Sequence, residues 1–204
     1  MKKDRINTSS IREIKHSFKR FLSLLVMSML GVLVFVGLKM AAPDMMKSLD
    51  KYYDDNNFYD IKIVSTLGLT NDDIKVFENL KTVKKAYGSY SKDVLVEAKN
   101  KELVVKLIGI NQDINKIEIL KGRMPKNNIE VIVEQSMINK EKLKIGDYIT
   151  VNDDTIKNKD LKIVGIVKSP LYITSETGTA NRGNTNIGTG KINYYAYTNS
   201  DNFN

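Results

Sequence analysis

Hydrophobic and polar positions divide this chain sharply at about residue 42. From Phe21 to Leu38 every residue is uncharged, FLSLLVMSMLGVLVFVGL, and Lys39 is followed by the apolar Met40-Ala41-Ala42. At a rise of about 1.5 Å per residue this run crosses a hydrocarbon layer of roughly 30 Å, with Lys39 snorkelling to the far interface. A cleaved signal peptide would have a shorter apolar run and a small-residue cleavage site, which Met40-Ala41-Ala42 does not supply. The pattern predicts a retained membrane helix over residues 21–42. Met45, Met46, Leu49 and Tyr52/Tyr53 keep helical spacing, so the helix is expected to continue beyond the bilayer.

Beyond that point the period changes. Tyr59 to Ser65 alternates and predicts a strand, and Gly68 breaks it. Thr70 is placed to cap a helix, with Asp73 in the capping-box position and Ile74, Phe77 and Leu80 on one face. Strand patterns follow at Val83–Tyr90, Asp93–Ala98 and Glu102–Ile110, with Asn100-Lys101 as a tight connection between the last two. Ile129–Val133 predicts a strand and Ser136–Leu143 a short helix. Ile145-Gly146-Asp147 predicts a turn into a strand through Val151, and Leu161–Val167 another strand ending at Ser169-Pro170. Thr174–Gly190 is rich in Gly, Thr and Asn and reads as an exposed loop; Tyr194–Tyr197 resumes a strand. The fold class is an α+β domain with a mixed sheet, preceded by a single transmembrane α-helix. The chain stops at Asn204 with no closing element, so its C-terminal end is expected to be incomplete.

Charge orients the helix. Residues 1–20 carry seven cations (Lys2, Lys3, Arg5, Arg12, Lys15, Lys19, Arg20) against Asp4 and Glu13, which is +5 of the total +8. Asp44, Asp50, Asp54 and Asp55 dominate the other flank. The positive-inside rule then places the N-terminus in the cytoplasm and residues 43–204 outside the cell membrane. Ile11, Ile14, Phe18 and Phe21 recur at helical spacing, with Ser9 or Ser10 as cap, so residues 1–20 read as a basic amphipathic segment on the inner leaflet or on a cytoplasmic partner. With the cations gathered there and not on the folded domain, nucleic-acid binding is not expected.

Candidate chemistry is sparse. There is no cysteine, which removes disulfides and thiolate sites, and the single histidine, His16, lies on the other side of the membrane from the domain. The acid pairs Asp54/Asp55, Asp72/Asp73 and Asp153/Asp154 each fall in a turn or at a helix end. Gly188-Thr189-Gly190-Lys191 comes close to a phosphate-binding loop but has Thr185 where glycine is required and Ile192 where Ser or Thr is required. Arg123, in Lys121-Gly122-Arg123-Met124-Pro125, reads as a structural turn residue. No catalytic, cofactor-binding or metal residues are assigned, and no cofactor is expected.

Several separated motifs resemble one family. Ile11-Arg12-Glu13-Ile14-Lys15, Arg20-Phe21-Leu22-Ser23, and Gly31 and Gly37 within the span resemble the start of FtsX-like permeases of ABC transporters. Ala42-Pro43-Asp44-Met45, Tyr52-Tyr53-Asp54, Asp60-Ile61 and Ser65-Thr66-Leu67-Gly68-Leu69 are similar to Firmicute members of that group. Leu120 to Pro125 with Glu130, Lys144-Ile145-Gly146-Asp147, and Ser169-Pro170-Leu171-Tyr172 resemble the MacB-like periplasmic core domain. The resemblance implies that residues 43–204 form such a core domain and that further membrane helices exist in the whole permease. It implies a cytoplasmic ABC ATPase as partner, with remaining permease helices or a second permease copy beside it. It also implies a function in which ATP-driven helix movement is coupled to export or signalling. Two other readings remain: a single-pass anchored binding or sensor protein without transport activity, and a membrane-anchored hydrolase using the paired acids.

Overall fold

The computed structural model describes residues 17–173 and 182–203. The basic amphipathic segment up to residue 16, including His16, and the first part of the Gly/Thr/Asn-rich loop lie outside them. The chain divides into two compact units, Met1–Lys51 and Tyr52–Asn204.

The first unit is dominated by one helix, α1, Phe18–Asp55, which runs on into the second unit. Among the described residues it is the one helix long and apolar enough to cross a membrane. None of its residues is buried. Each large apolar side chain left in water forfeits about 1.5–3 kcal/mol of burial, so this surface belongs in lipid. Its polar groups are locally satisfied: Ser28 Oγ donates to the Leu25 carbonyl at 2.9 Å and Ser48 Oγ to Asp44 at 2.8 Å. Pro43 sits inside the helix and has no N–H to offer the preceding turn. The expected continuation of the helix past residue 42 is observed.

The second unit is built on seven strands: β1 Ser91–Ala98, β2 Lys101–Gly109, β3 Glu118–Gly122, β4 Glu130–Glu134, β5 Tyr148–Asn152, β6 Asp160–Lys168 and β7 Tyr194–Thr198. The order is β3-β6-β4-β7-β2-β1-β5, and β5 pairs again with β6. Six strands therefore close into a ring, and β3 shares an edge of β6 with β5. β5 takes Asp160–Lys162, and β3 takes Gly165–Lys168. The β2–β7 and β4–β6 pairs are parallel and the others antiparallel. This is a mixed sheet, as expected, but closed into a barrel.

Alternation explains the core. Val94, Val96 and Ala98 of β1, Leu103, Val105 and Leu107 of β2, Val131 and Val133 of β4, Ile149 and Val151 of β5, Leu161 and Ile163 of β6, and Tyr194 and Ala196 of β7 form one buried cluster. A six-stranded ring is narrow enough for these side chains to fill, so the barrel is solid. A short helix, Gln135–Glu141, adds Met137 to that cluster. A second cluster (Ile108, Ile132, Val164, Val167, Tyr195, Tyr197) lies on the other face of the same strands, covered by Ile117, Ile119, Met124 and Leu171. Strand β4 is thus buried on both faces, and all five of its residues are buried.

Three expectations need correction. Tyr59–Ser65 forms no strand, because among the described residues it has no neighbouring edge to pair with. Val83–Tyr90 is not a strand either: Ala86 N–H reaches the Glu78 carboxylate at 3.5 Å, holding this segment against helix α2, Asn71–Glu78. The hairpin connection is Lys99-Asn100, one residue earlier than expected, with φ of 48° and 62°. Strand β3 and the 3-10 turn Ser200–Asn202 are additions that the sequence pattern does not predict. The capping box is as expected: Asp73 N–H donates to Thr70 Oγ1, and Thr70 N–H donates to Asp73 Oδ2 at 2.7 Å.

One crossing point fixes the register. Gly122 has φ +86°, and a Cβ there would meet the Val164 carbonyl and lie 2.7 Å from Gly165 Cα. The β4–β6 pairing shifts register opposite Val131/Ile132, skipping Val164. Gly146 also has positive φ, +105°, but open space around it. Gly146→Ala should therefore cost only backbone strain, about 1–2 kcal/mol, and Gly122→Ala at least about 2 kcal/mol more from the added collision. Denaturant unfolding of the detergent-solubilised chain measures both.

Candidate functional site

Glutamates at the two ends of β4 are each bonded to an arginine. After residue 20 the sequence contains only two arginines, Arg123 and Arg182. Each is taken by a β4 glutamate. Arg123 grips Glu130 with both terminal guanidinium nitrogens, at 2.7 and 2.6 Å, and Lys126 N–H donates to the same carboxylate at 2.8 Å. The Arg123 hydrogen bonds and then the Lys126 N–H hold Glu130 down from 4.5 to about 2. At the other end Arg182 donates to Glu134 at 2.9 Å and to Ser136 Oγ at 3.1 Å, and lies over the Tyr194 ring. These side chains are only 7% and 3% exposed. Burial raises the Glu134 carboxyl, and the guanidinium opposes that rise.

Two of the motifs that resemble the MacB-like periplasmic core domain form turns next to β5 and after β6. In Lys144-Ile145-Gly146-Asp147 the Asp147 carboxylate accepts from Lys144 N–H at 2.9 Å, and Gly146 and Asp147 bond to Ile163 of β6. In Ser169-Pro170-Leu171-Tyr172, Ser169 Oγ is 2.6 Å from the Tyr197 hydroxyl. The turn stacks Tyr172 on Tyr195 at 4.6 Å. Burial pushes Tyr172 up to about 12, so it stays a neutral phenol.

The end of α1 is sewn to the barrel within the second unit. Asn115 N–H and Lys116 N–H donate to the Asn57 and Asn56 carbonyls at 3.0 and 2.8 Å. Tyr59 N–H donates to Asn115 Oδ1 at 3.3 Å, and Asn57 Nδ2 donates to the Asp113 carbonyl. Tyr53 meets Phe58 in a tilted contact at 4.4 Å, and Phe58 stacks on Tyr59 at 4.6 Å. The Lys168 ammonium lies 5.5 Å from the Tyr52 ring centre. These contacts make a collar in which the chain leaving the helix is bonded to the loop that precedes β3.

Sequence-derived candidates for chemistry separate in space by role. Asp54 and Asp55 end α1, and Asp73 caps α2 while Asp72 pairs with Lys75. Asp153 binds Thr155 and Lys92, and Asp154 binds Lys159. The glycine run does not cradle an anion. A Cβ on Gly188 would press on Val104 and Leu95, so this turn lies flat on β1 and β2. Among the described residues no group of His, Cys, Asp or Glu could hold a metal ion. A cleft beside Tyr197, lined by Ile108, Ile110, Asn115 and Leu171, has a volume of ≈ 20 Å³, room for one water. The chain carries no catalytic motif. What sequence reading missed was the pair Arg182–Glu134, although an arginine inside a Gly/Thr/Asn loop of a lysine-rich chain was a visible signal.

No protein-family model matches the sequence, and no curated protein matches it. Solved structures show a distant likeness. The extracellular domain of the noncanonic ABC-type transporter YknZ from Gram-positive bacteria matches with TM-score 0.43 and 17% identity, over 67% of this chain and 65% of that one. The periplasmic region of MacB from Actinobacillus actinomycetemcomitans matches with TM-score 0.40 and 12% identity, over 66% and 56%. The chain covers less than two thirds of either structure.

Removing Arg182 leaves Glu134 buried without its counter-charge, so Arg182→Ala should cost about 3–5 kcal/mol. The deficit should grow as pH rises through the carboxylate range, and adding Glu134→Gln should recover part of it. Glu130 behaves oppositely. Its lowered pKa stabilises the fold above the ordinary value of 4.5, and that contribution is lost as pH falls toward about 2. In Glu130→Gln this acid-dependent step should disappear from the pH profile of unfolding.

Proposed function

We propose that the chain is a permease subunit, or the N-terminal portion of one, of an ABC transporter of the FtsX/MacB type. In this reading its outer domain couples ATPase-driven movement of the membrane helix to export or signalling. The observation that carries it is the collar. α1 continues without interruption from apolar residues through Asp55, and Asn56, Asn57 and Tyr59 are then hydrogen-bonded to the loop that precedes β3. A flexible tether would suffice for an anchored enzyme or adhesin. A hydrogen-bonded exit from the helix is what a force-transmitting part needs. The solid barrel interior and the absence of catalytic motifs agree with a mechanical role.

The flanking charges support a cytoplasmic N-terminus and an outer barrel. The N-terminal basic segment is then the contact for a cytoplasmic ATPase. A Cβ added to Gly31 or Gly37 would meet nothing within 4 Å, so both glycines lie on helix surface available to neighbouring membrane helices. A single-pass binding or sensor protein is the second reading, favoured by the barrel closing on itself.

Affinity purification of the full chain from native membranes should recover an ABC ATPase. Replacing Ile11, Ile14 and Phe18 by Ser, with every cation left in place, should abolish that recovery. Recovery of no ATPase with the unaltered chain favours the anchored reading. A Glu102→Cys thiol should react with a membrane-impermeant maleimide in intact cells; reaction only after permeabilisation would invert the orientation.

A further inference from the structure

The stretch just past the collar is patterned as a strand yet pairs with nothing among the described residues. From Asp60 to Val64 no backbone or side-chain hydrogen bond is formed. Ile61 is 79% exposed, Ile63 52% and Val64 76%, and Leu67 beyond them is 98% exposed. Alternating apolar residues beside open N–H and C=O groups recruit another strand. The question is which strand fits.

The sequence is complementary to itself. Set antiparallel to an identical copy and centred on Ile61, Ile61 faces Ile61, Tyr59 faces Ile63, and Asp60 faces Lys62. One face of the seam then carries only tyrosine and isoleucine side chains, and the other carries two Asp–Lys pairs. Centring on Lys62 would oppose like charges, and a one-residue slip would set isoleucine against lysine. Hydrogen-bond supply selects the same arrangement. Tyr59 N–H is already donated to Asn115 Oδ1, so Tyr59 is unsuited to a bonded pair. With Ile61 in the non-hydrogen-bonded position, Asp60 and Lys62 exchange the bonds, and both have free backbone groups.

We propose that Tyr59–Ile63 is an interface between two copies of this chain, paired antiparallel in the register centred on Ile61. It follows from these residues alone and does not depend on the transporter reading. Non-hydrogen-bonded partners in such a ladder have Cα atoms about 4.5 Å apart, within reach of a disulfide. The chain has no cysteine, so a single introduced thiol reports on its own symmetry mate.

The test is oxidative cross-linking of the full-length chain in the membranes of the expressing cells. Ile61→Cys should give a disulfide-linked dimer. Ile63→Cys, whose partner in this register is Tyr59, should give about tenfold less, since the two thiols stand too far apart. In the Ile61→Cys background Lys62→Asp should suppress the dimer, and adding Asp60→Lys should restore it. All four side chains are exposed, so folding is not at stake. The proposal is overturned if Ile61→Cys stays monomeric, if both thiols cross-link equally, if charge reversal has no effect, or if Ile61→Cys links to a different protein.

Discussion

Two ion pairs at the ends of one strand hold the barrel domain in register. β4 lies between a parallel neighbour, β6, and an antiparallel one, β7, with cores on both faces. Such a strand has no solvent face on which to place a polar residue. Its only carboxylates are at its ends; both are buried and each is bonded to an arginine, Arg182 itself buried and Arg123 exposed. The cost of burying two charges is offset only because each guanidinium supplies several donors in fixed geometry. A slip of one residue would strand both glutamates and turn Val131 and Val133 out of the barrel. Lysine, common everywhere else in this chain, could not make the two-pronged contact with Glu130.

From that strand the rest of the architecture follows in steps. Arg123 is delivered to Glu130 by a turn that needs Gly122, because the chain there crosses within contact distance of Gly165. That crossing sets β3 on the edge of β6 and frees the earlier half of β6 for β5, which closes the barrel. The loop ahead of β3 in turn bonds Asn57 and Asn56, just past α1, through Asn115 and Lys116. Within the second unit the collar, the loop ahead of β3 and, through Arg123, Glu130 of β4 thus lie along one connected path.

Much of this was legible in the sequence, for local reasons. The capping box at Thr70 and Asp73 depends on four consecutive residues, and the apolar span on eighteen, so neither needs tertiary information. Strands buried on one or both faces announced themselves by alternation or by runs such as LKIVGIV. Barrel closure was not legible, because whether β5 returns to β6 depends on twist and register accumulated over the whole ring. Strand β3 was missed because four of its five residues are exposed and its sequence, EILKG, lacks alternation. Tyr59–Ser65 shows the converse: a strand pattern states what a segment could pair as, and says nothing of where its partner is.

Hydrogen exchange on the intact detergent-solubilised chain tests the central claim most directly. If β4 and its two clamps hold the barrel together, the amides of Val131, Ile132 and Val133 should exchange only through global unfolding. They should be the slowest in the domain, together with their partners in β6 and β7, and faster exchange should spread from β1 and β5. Exchange of β4 at the rate of β1 or β5 would contradict the account and place the anchor of the fold elsewhere.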